Sequence, residues 1–218
     1  IPVEAMAGFS PEQISNLPAE AMAGLNAEQL GNLTTEALGA VNGDQLTYLE
    51  DAVISSLTDN MVEALSVDAL SDLNADDIVL LTPQAMGGFE TEDISSFSPE
   101  VWSAMDASQF TAIPVEAIAG LTSEGFQNLP PEALSQITTD HIRTLLSQGE
   151  SDPLPTAPAG AGVGESFTAE HVAALPTEAI AELSAGFDIH VLGRISDDAF
   201  SGFTADQIEA FHSGIFQT

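Results

Sequence analysis

The chain has 218 residues, and its 34 acidic residues face only two basic ones, so the formal net charge is −32 at pH 7. This charge excludes nucleic acid and anionic membrane surfaces as partners. There is no cysteine, which excludes disulfide bonds and thiol chemistry. Apolar residues make up 44% of the chain, enough for a folded core. No apolar run approaches the roughly 20 residues that span a bilayer, and we expect no membrane insertion.

An eight-residue repeat, with positions labelled a to h, runs through the first two thirds of the chain. Position a is apolar from Ile1 through Phe9 to Leu145, and position f is apolar from Met6 to Ile142. A repeat this short predicts a solenoid, whose core forms by stacking of successive repeats.

The remaining positions indicate where helices begin. Position b is mostly a polar residue such as Ser10 or Asn26, which is typical of a helix N-cap. Position c carries proline in several octads, as at Pro11, and proline suits the first position of a helix. Position d is usually acidic, as at Glu12, and a carboxylate stabilises a helix N-terminus. Each octad therefore predicts one helix of about one and a half turns.

Position e shows a second period, because Ala5, Gln13, Ala21 and Gln29 alternate strictly. This alternation predicts that a pair of short helices, two octads in all, is the repeating unit. Recurring prolines and caps exclude one continuous helix. The predicted fold class is all-α, a solenoid or superhelix of very short helices.

The octads stop near residue 146, which predicts three segments. Residues 1–146 form the octad-repeat solenoid, and residues 147–166 form a linker or loop rich in proline and glycine. Residues 167–218 form a C-terminal helical block, in which the pattern slips by four positions between Ser184 and Arg194. The slip indicates a longer helix or an extra turn. We expect the block to cap the solenoid or to dock on a neighbouring subunit.

No residue pattern points to a catalytic, cofactor or metal site. A zinc site needs three or four converging ligands, so we expect the histidines at the surface. They are His141, His171, His190 and His212. We expect the acids at position d to stabilise helix N-termini and to keep the surface hydrated. The alternative is that they bind divalent cations loosely. Calcium is left open as a ligand, although no Asp-rich calcium loop occurs.

Two octads carry a resemblance to known proteins: Ser-Pro-Glu-Gln-Ile-Ser-Asn-Leu at 10–17 and Thr-Ala-Asp-Gln-Ile-Glu-Ala-Phe at 204–211. They resemble short helical repeats of large secreted and cell-surface proteins such as bacterial adhesins. A fainter similarity is to the superhelical repeats of the mesothelin and stereocilin family. The resemblance covers nearly the whole chain and implies an extracellular or cell-surface location with a structural or adhesive role. It carries over no functional residue.

The sequence favours a non-enzymatic structural repeat protein of the cell surface or extracellular matrix that stacks head to tail into a homopolymer filament. The alternative is an acidic binding or adhesion module for calcium, a basic protein or a glycan. Apolar residues near both ends are the predicted assembly surfaces: Ile1, Phe9, Phe203, Phe211, Ile215 and Phe216.

Overall fold

The computed structural model of the chain describes residues 1–147, 168–186 and 201–215. These residues form many short helices and no strand, which confirms the predicted all-α fold of short helical repeats. The predicted linker at 147–166 lies almost wholly outside the described residues, and the domain boundary placed there stays a prediction.

Contacts divide the chain into two compact units, Ile1–Gly120 and Leu121–Thr218. The helices of the first unit span one to two turns each, and two of them, named η1 and η2, have 3₁₀ geometry. They are α1 (Val3–Met6), α2 (Pro11–Ser15), η1 (Ala19–Gly24), α3 (Ala27–Gly31), α4 (Thr35–Leu38), α5 (Gly43–Thr47), α6 (Asp51–Ile54), α7 (Asp59–Ala64), α8 (Val67–Ser71), α9 (Ala75–Ile78), α10 (Pro83–Met86), α11 (Thr91–Ser96), α12 (Pro99–Ala104), α13 (Ala107–Ala112) and η2 (Ala117–Gly120).

The second unit combines short helices with longer ones. Its described helices are α14 (Ser123–Gln127), α15 (Pro131–Leu134), α16 (Thr139–Ser147), α17 (Ala169–Ala174), α18 (Thr177–Gly186) and α19 (Ala205–Ile215). The longer helix or extra turn predicted at the slip falls on residues 187–192, which lie outside the described part of the chain.

The predicted helix starts are confirmed in most octads. In α2, the Ser10 hydroxyl accepts the Gln13 N–H, and Gln13 Oε1 accepts the Ser10 N–H, so the two residues form a capping box. Pro11 fills the first helical position. Ser98 is an exception, because its side chain makes no capping hydrogen bond to α12. Local sequence thus fixes where each helix begins.

Stacking in the first unit has a period of three octads. α1 contacts α3, α2 contacts α4 and η1 contacts α5, and in each pair the second helix belongs to the third octad after the first. The same spacing joins α5 to α8, α8 to α11 and α11 to η2. Three octads therefore complete one turn of the superhelix, a number that the alternation at position e, which predicted a two-octad repeating unit, did not give.

Positions a and f form the core, as predicted. Position f is buried in every octad from Met6 to Ile142, and position a is buried in every octad from Leu25 to Leu145. The core of the first unit includes an aromatic cluster. The ring centroid of Phe97 lies 5.0 Å from that of Phe89 and 5.6 Å from that of Trp102. Both contacts are edge-to-face, an arrangement that aromatic pairs prefer.

The second unit keeps the same stacking with an inserted segment. α15 begins at Pro131 and contacts α17, which begins at Ala169, almost five octads later instead of three. α16 contacts α18 at the same separation. The segment between α16 and α17, which lies outside the described residues, therefore lengthens one turn and leaves the stacking order intact.

Gly120 marks a close approach between two turns. A Cβ at Gly120 would overlap the carbonyl oxygen of Thr91, whereas a Cβ at Gly24, which holds the same position h, would meet nothing within 4 Å. We expect Gly120→Ala to lower the free energy of unfolding by about 1–3 kcal/mol through overpacking. Gly24→Ala should change it by about 0.5 kcal/mol or less. Denaturant unfolding of both variants would measure this, and equal effects would contradict the stacking.

Candidate functional site

The first turn exposes a face that later turns bury. At position e, Ala5, Gln13 and Ala21 are exposed, whereas the described residues at this position in later octads are buried or half-buried. Position a behaves in the same way, since Ile1 is 64% exposed and Phe9 is half-buried. Positions a and e therefore face the preceding turn.

The predicted assembly residues have different environments. Ile1 is exposed, and Phe9 and Phe203 are half-buried. In the second unit Ile208, at position f of α19, is 47% exposed, unlike the buried position f of the first unit. The side chains of Phe211, Ile215 and Phe216 lie outside the described residues, so their assignment stays a prediction.

Glutamine at position e joins neighbouring turns. Gln45 Oε1 accepts the Asn42 N–H at 3.1 Å, which closes a capping box in its own turn. Its Nε2 donates to the carbonyl oxygens of Ile14 at 2.7 Å and Leu17 at 2.9 Å, in the preceding turn. Both N–H groups and the oxygen of this buried amide are thus used. We call this arrangement a turn junction.

Turn junctions recur along the chain. Gln29 donates to the carbonyl oxygen of Ile1, and Gln109 donates to those of Ile78 and Leu81, at the same sequence separations as Gln45 and its two acceptors. In the second unit Gln207 donates to carbonyl groups whose sequence separation is larger by four. This difference equals the predicted slip, so the slip lengthens one turn without changing its junction.

Position e holds every buried polar or charged side chain among the described residues. These are Gln29, Gln45, Asp93, Gln109, His141, His171 and Gln207. Each is the third residue of its helix and accepts the N–H of the N-cap residue. Sequence reasoning noted the alternation at this position but missed its role, because the role depends on acceptors in another turn of the superhelix.

The histidines correct the sequence analysis. His141 and His171 are 2% and 7% exposed, so their predicted surface position was wrong. Each Nδ1 accepts an N-cap N–H at 3.3 Å, the contact that glutamine makes elsewhere, which requires an unprotonated Nδ1. Burial lowers the pKa of His141, while the Asp140 carboxylate acts in the opposite direction. His190 and the side chain of His212 lie outside the described residues.

Asp93 is the one buried acid at a turn junction among the described residues. It is 4% exposed, and its Oδ2 accepts the Glu90 N–H at 2.9 Å. Burial raises the pKa of the Asp93 carboxyl, the bond from Glu90 N–H lowers it, and the charges of Glu90 and Glu92 raise it. A carboxylate here differs from glutamine because it has no hydrogen to donate to the preceding turn.

One edge of the first unit is acidic throughout. The helices η1, α5, α8, α11 and η2 pack in succession, and the position d residue of each of these five octads is an exposed acid. These acids are Glu20, Asp44, Asp68, Glu92 and Glu116. The other two edges are interrupted at the same position by uncharged residues such as Ala52 and Gln84. The acidic edge appears in the sequence only when position d is compared in every third octad.

An open cleft of about 470 Å³ lies beside this edge. Four glutamates line it, together with glycine and proline backbone: Glu63, Glu90, Glu92 and Glu116. Among the residues that the structure describes, no three histidine or acidic side chains are placed to hold a metal ion. The cleft offers negative charge without a converging ligand set.

Comparison with known proteins gives no relative, since no protein-family model and no curated protein matches the chain. No helix in the described ranges combines the length and hydropathy that crossing a membrane requires.

The turn junction can be tested by comparing two glutamines. Gln45→Ala removes a capping bond and two bonds to the preceding turn, and leaves buried carbonyl groups without that donor. Gln13→Ala removes only the exposed capping bond. We expect losses of roughly 2–4 kcal/mol for Gln45→Ala and about 0.5–1 kcal/mol for Gln13→Ala. Denaturant unfolding measures both, and similar losses would contradict the role of the junction.

Proposed function

We propose that this chain is a non-enzymatic structural repeat protein of the cell surface or extracellular matrix that stacks head to tail with further copies of itself into a filament. The observation that carries the proposal is the turn junction, because the contacts that join successive turns within the chain would also join turns of two copies. Positions a and e of the first turn, which we call the junction face, are exposed or half-buried, whereas the same positions are buried or half-buried in the rest of the first unit.

Gln13 lies on the junction face and makes fewer hydrogen bonds than Gln45. It forms the same capping box as Gln45, but within the described residues its Nε2 has no hydrogen-bond partner. In the repeat, that amide donates to two carbonyl groups of a preceding turn. The same donor and apolar side chains would join turns of two copies in a filament, and a second copy is the partner that we propose.

The second unit supplies an apolar residue for the opposite side of the contact. Ile208 is 47% exposed at position f. A contact between two different surfaces of identical subunits is heterologous, and such contacts extend into open filaments when the rotation does not close a ring. The charge of −32 opposes association, and salt screens that repulsion. Association should therefore increase with ionic strength.

The use of buried polar groups supports a structural role. The seven buried polar or charged side chains among the described residues all take part in capping boxes at position e. Their hydrogen-bonding capacity serves the fold. The extracellular location is proposed from the resemblance of the octads to repeats of surface proteins.

The acidic edge favours a second candidate, an adhesion module that binds calcium, a basic protein or a glycan. Five exposed acids in successive turns create a line of negative potential that attracts cations. This candidate requires no filament.

A matched pair of variants tests the filament. Ala5→Glu places a charge on the junction face, whereas Ala52→Glu makes the same change at an exposed position d of α6. We expect the unmodified chain and Ala52→Glu to associate as concentration and salt increase, and Ala5→Glu to remain monomeric. Sedimentation velocity measures the mass, and electron microscopy shows whether the assemblies are filaments.

A chain that stays monomeric at every concentration and salt level would contradict the filament, as would equal association of the two variants. Calorimetric titration of that monomer with calcium or a basic polypeptide would then decide for or against the adhesion module.

A further inference from the structure

The junction between α11 and the preceding turn differs from the glutamine junctions in one respect. Asp93 occupies the buried position e that Gln45 and Gln109 occupy in their turns. Its Oδ2 accepts the N-cap N–H at 2.9 Å, the same distance that Gln109 Oε1 makes with the Asp106 N–H. The carboxyl group is therefore held by the same capping bond as the glutamine amides.

The acceptors at this junction follow from the repeat. Gln45 and Gln109 each donate to two carbonyl groups of the preceding turn, at identical sequence separations. For Asp93 these separations lead to Val62, which lies in α7, and to Leu65, the C-cap residue of α7. The next helix along the chain, α8, packs on α11. An ionised carboxylate can only accept hydrogen bonds, so it cannot donate to a carbonyl oxygen. A protonated carboxyl has one hydrogen to donate.

We propose that Asp93 makes this junction proton-dependent: the protonated carboxyl donates to the carbonyl oxygen of Val62 or Leu65, as glutamine does at other turns, and the ionised carboxylate does not. The contact between α11 and the preceding turn is then more stable in acidic solution than at neutral pH. The proposal concerns the fold of the first unit and does not depend on the filament or on the adhesion role.

The surroundings of Asp93 favour the protonated form. The titratable groups near it on its own octad are Glu90 and Glu92. The elements packed on α11 are α8 and η2, and their titratable groups are also acids. These are Asp68 in α8, Asp72 at its C-cap, and Glu116 directly before η2.

No basic side chain of the first unit offsets these acids. Glu63 lines the same cleft as Glu90 and Glu92, and adds a further negative charge. The two arginines of the chain, Arg143 and Arg194, belong to the second unit, and the chain has no other basic residue except histidine. All four histidines also lie beyond the first unit.

The direction of the pH dependence follows from proton binding. Because the pKa of Asp93 is raised in the folded chain, the folded state holds this proton at pH values where the unfolded state has lost it. Stability from this group is therefore present below the ordinary aspartate pKa and is lost as pH rises through the higher folded value. Relief of repulsion among the other acids also stabilises the chain in acid, but it acts on all junctions.

Hydrogen exchange can separate the local effect from the general one. Protection factors, corrected for the intrinsic pH dependence of exchange, are measured at a series of pH values from about 7.5 down to the ordinary aspartate pKa of about 3.9. Amides of α8 and α11 report the Asp93 junction, and amides of α2 and α5 report the Gln45 junction. We expect protection at the Asp93 junction to rise on acidification by roughly two- to tenfold more than at the Gln45 junction.

Variants make the test specific. Asp93→Gln should restore the hydrogen bonds to the preceding turn at every pH. The amides of α8 and α11 should then be well protected at neutral and at acidic pH, and their protection should rise in acid no more than that of the amides of α2 and α5. Asp93→Asn, which cannot ionise, should also lose the excess response. Asp77→Gln is the matched control, because Asp77 makes the same capping bond at position e but is only half-buried. It should leave the response at Asp93 unchanged. Equal responses at both junctions of the unmodified chain, or an excess response that survives in Asp93→Gln and Asp93→Asn, would overturn the proposal.

Discussion

The contact between helices three octads apart is the constraint on which this fold depends. A helix of one to two turns cannot be stable by itself, because nucleation fixes several residues before the hydrogen bonds of the helix accumulate. The chain meets this difficulty in two ways. Capping boxes satisfy the amide groups at helix starts, and stacking at positions a, e and f buries apolar surface between turns. Glutamine at position e links the two, since one amide serves the cap of its own turn and the carbonyl groups of the turn before.

This arrangement gives the superhelix a direction. Position e reaches backwards along the chain, so a turn is complete only when another turn precedes it. In the described structure, positions a and e are more exposed in the first turn than in later turns. The acidic edge is a second consequence of the three-octad period, because the period brings every third position d to the same side of the first unit. The junction face and the line of negative charge thus arise from one geometric feature.

The local features of the fold could be predicted from the sequence, whereas the features that depend on distant residues could not. Ser10, Pro11 and the apolar positions a and f each express a preference of a single octad, so their roles follow from composition and spacing. The number of octads per turn depends on how helices pack, and the alternation of alanine and glutamine indicated a shorter unit. His141 was assigned to the surface because the sequence offers no converging set of metal ligands, but its position in the octad proved more decisive than this argument. The slip of four positions was visible in the sequence, and the bonds of Gln207 show that it lies between two stacked turns.

The three-octad period is tested most directly by a cross-link between neighbouring turns. A Cβ placed on Gly43 would lie 2.8 Å from the Cβ of Asp72, slightly closer than the roughly 3.5–4.5 Å of a disulfide, while a Cβ on Gly31 would meet nothing within 4 Å. The chain has no cysteine, so any disulfide must come from the introduced pair. We predict that the double variant Gly43→Cys, Asp72→Cys forms an intramolecular disulfide under mild oxidation, and that the double variant Gly31→Cys, Asp72→Cys does not. Cross-linking of the second pair in place of the first, or of both equally, would contradict a superhelix with three octads per turn.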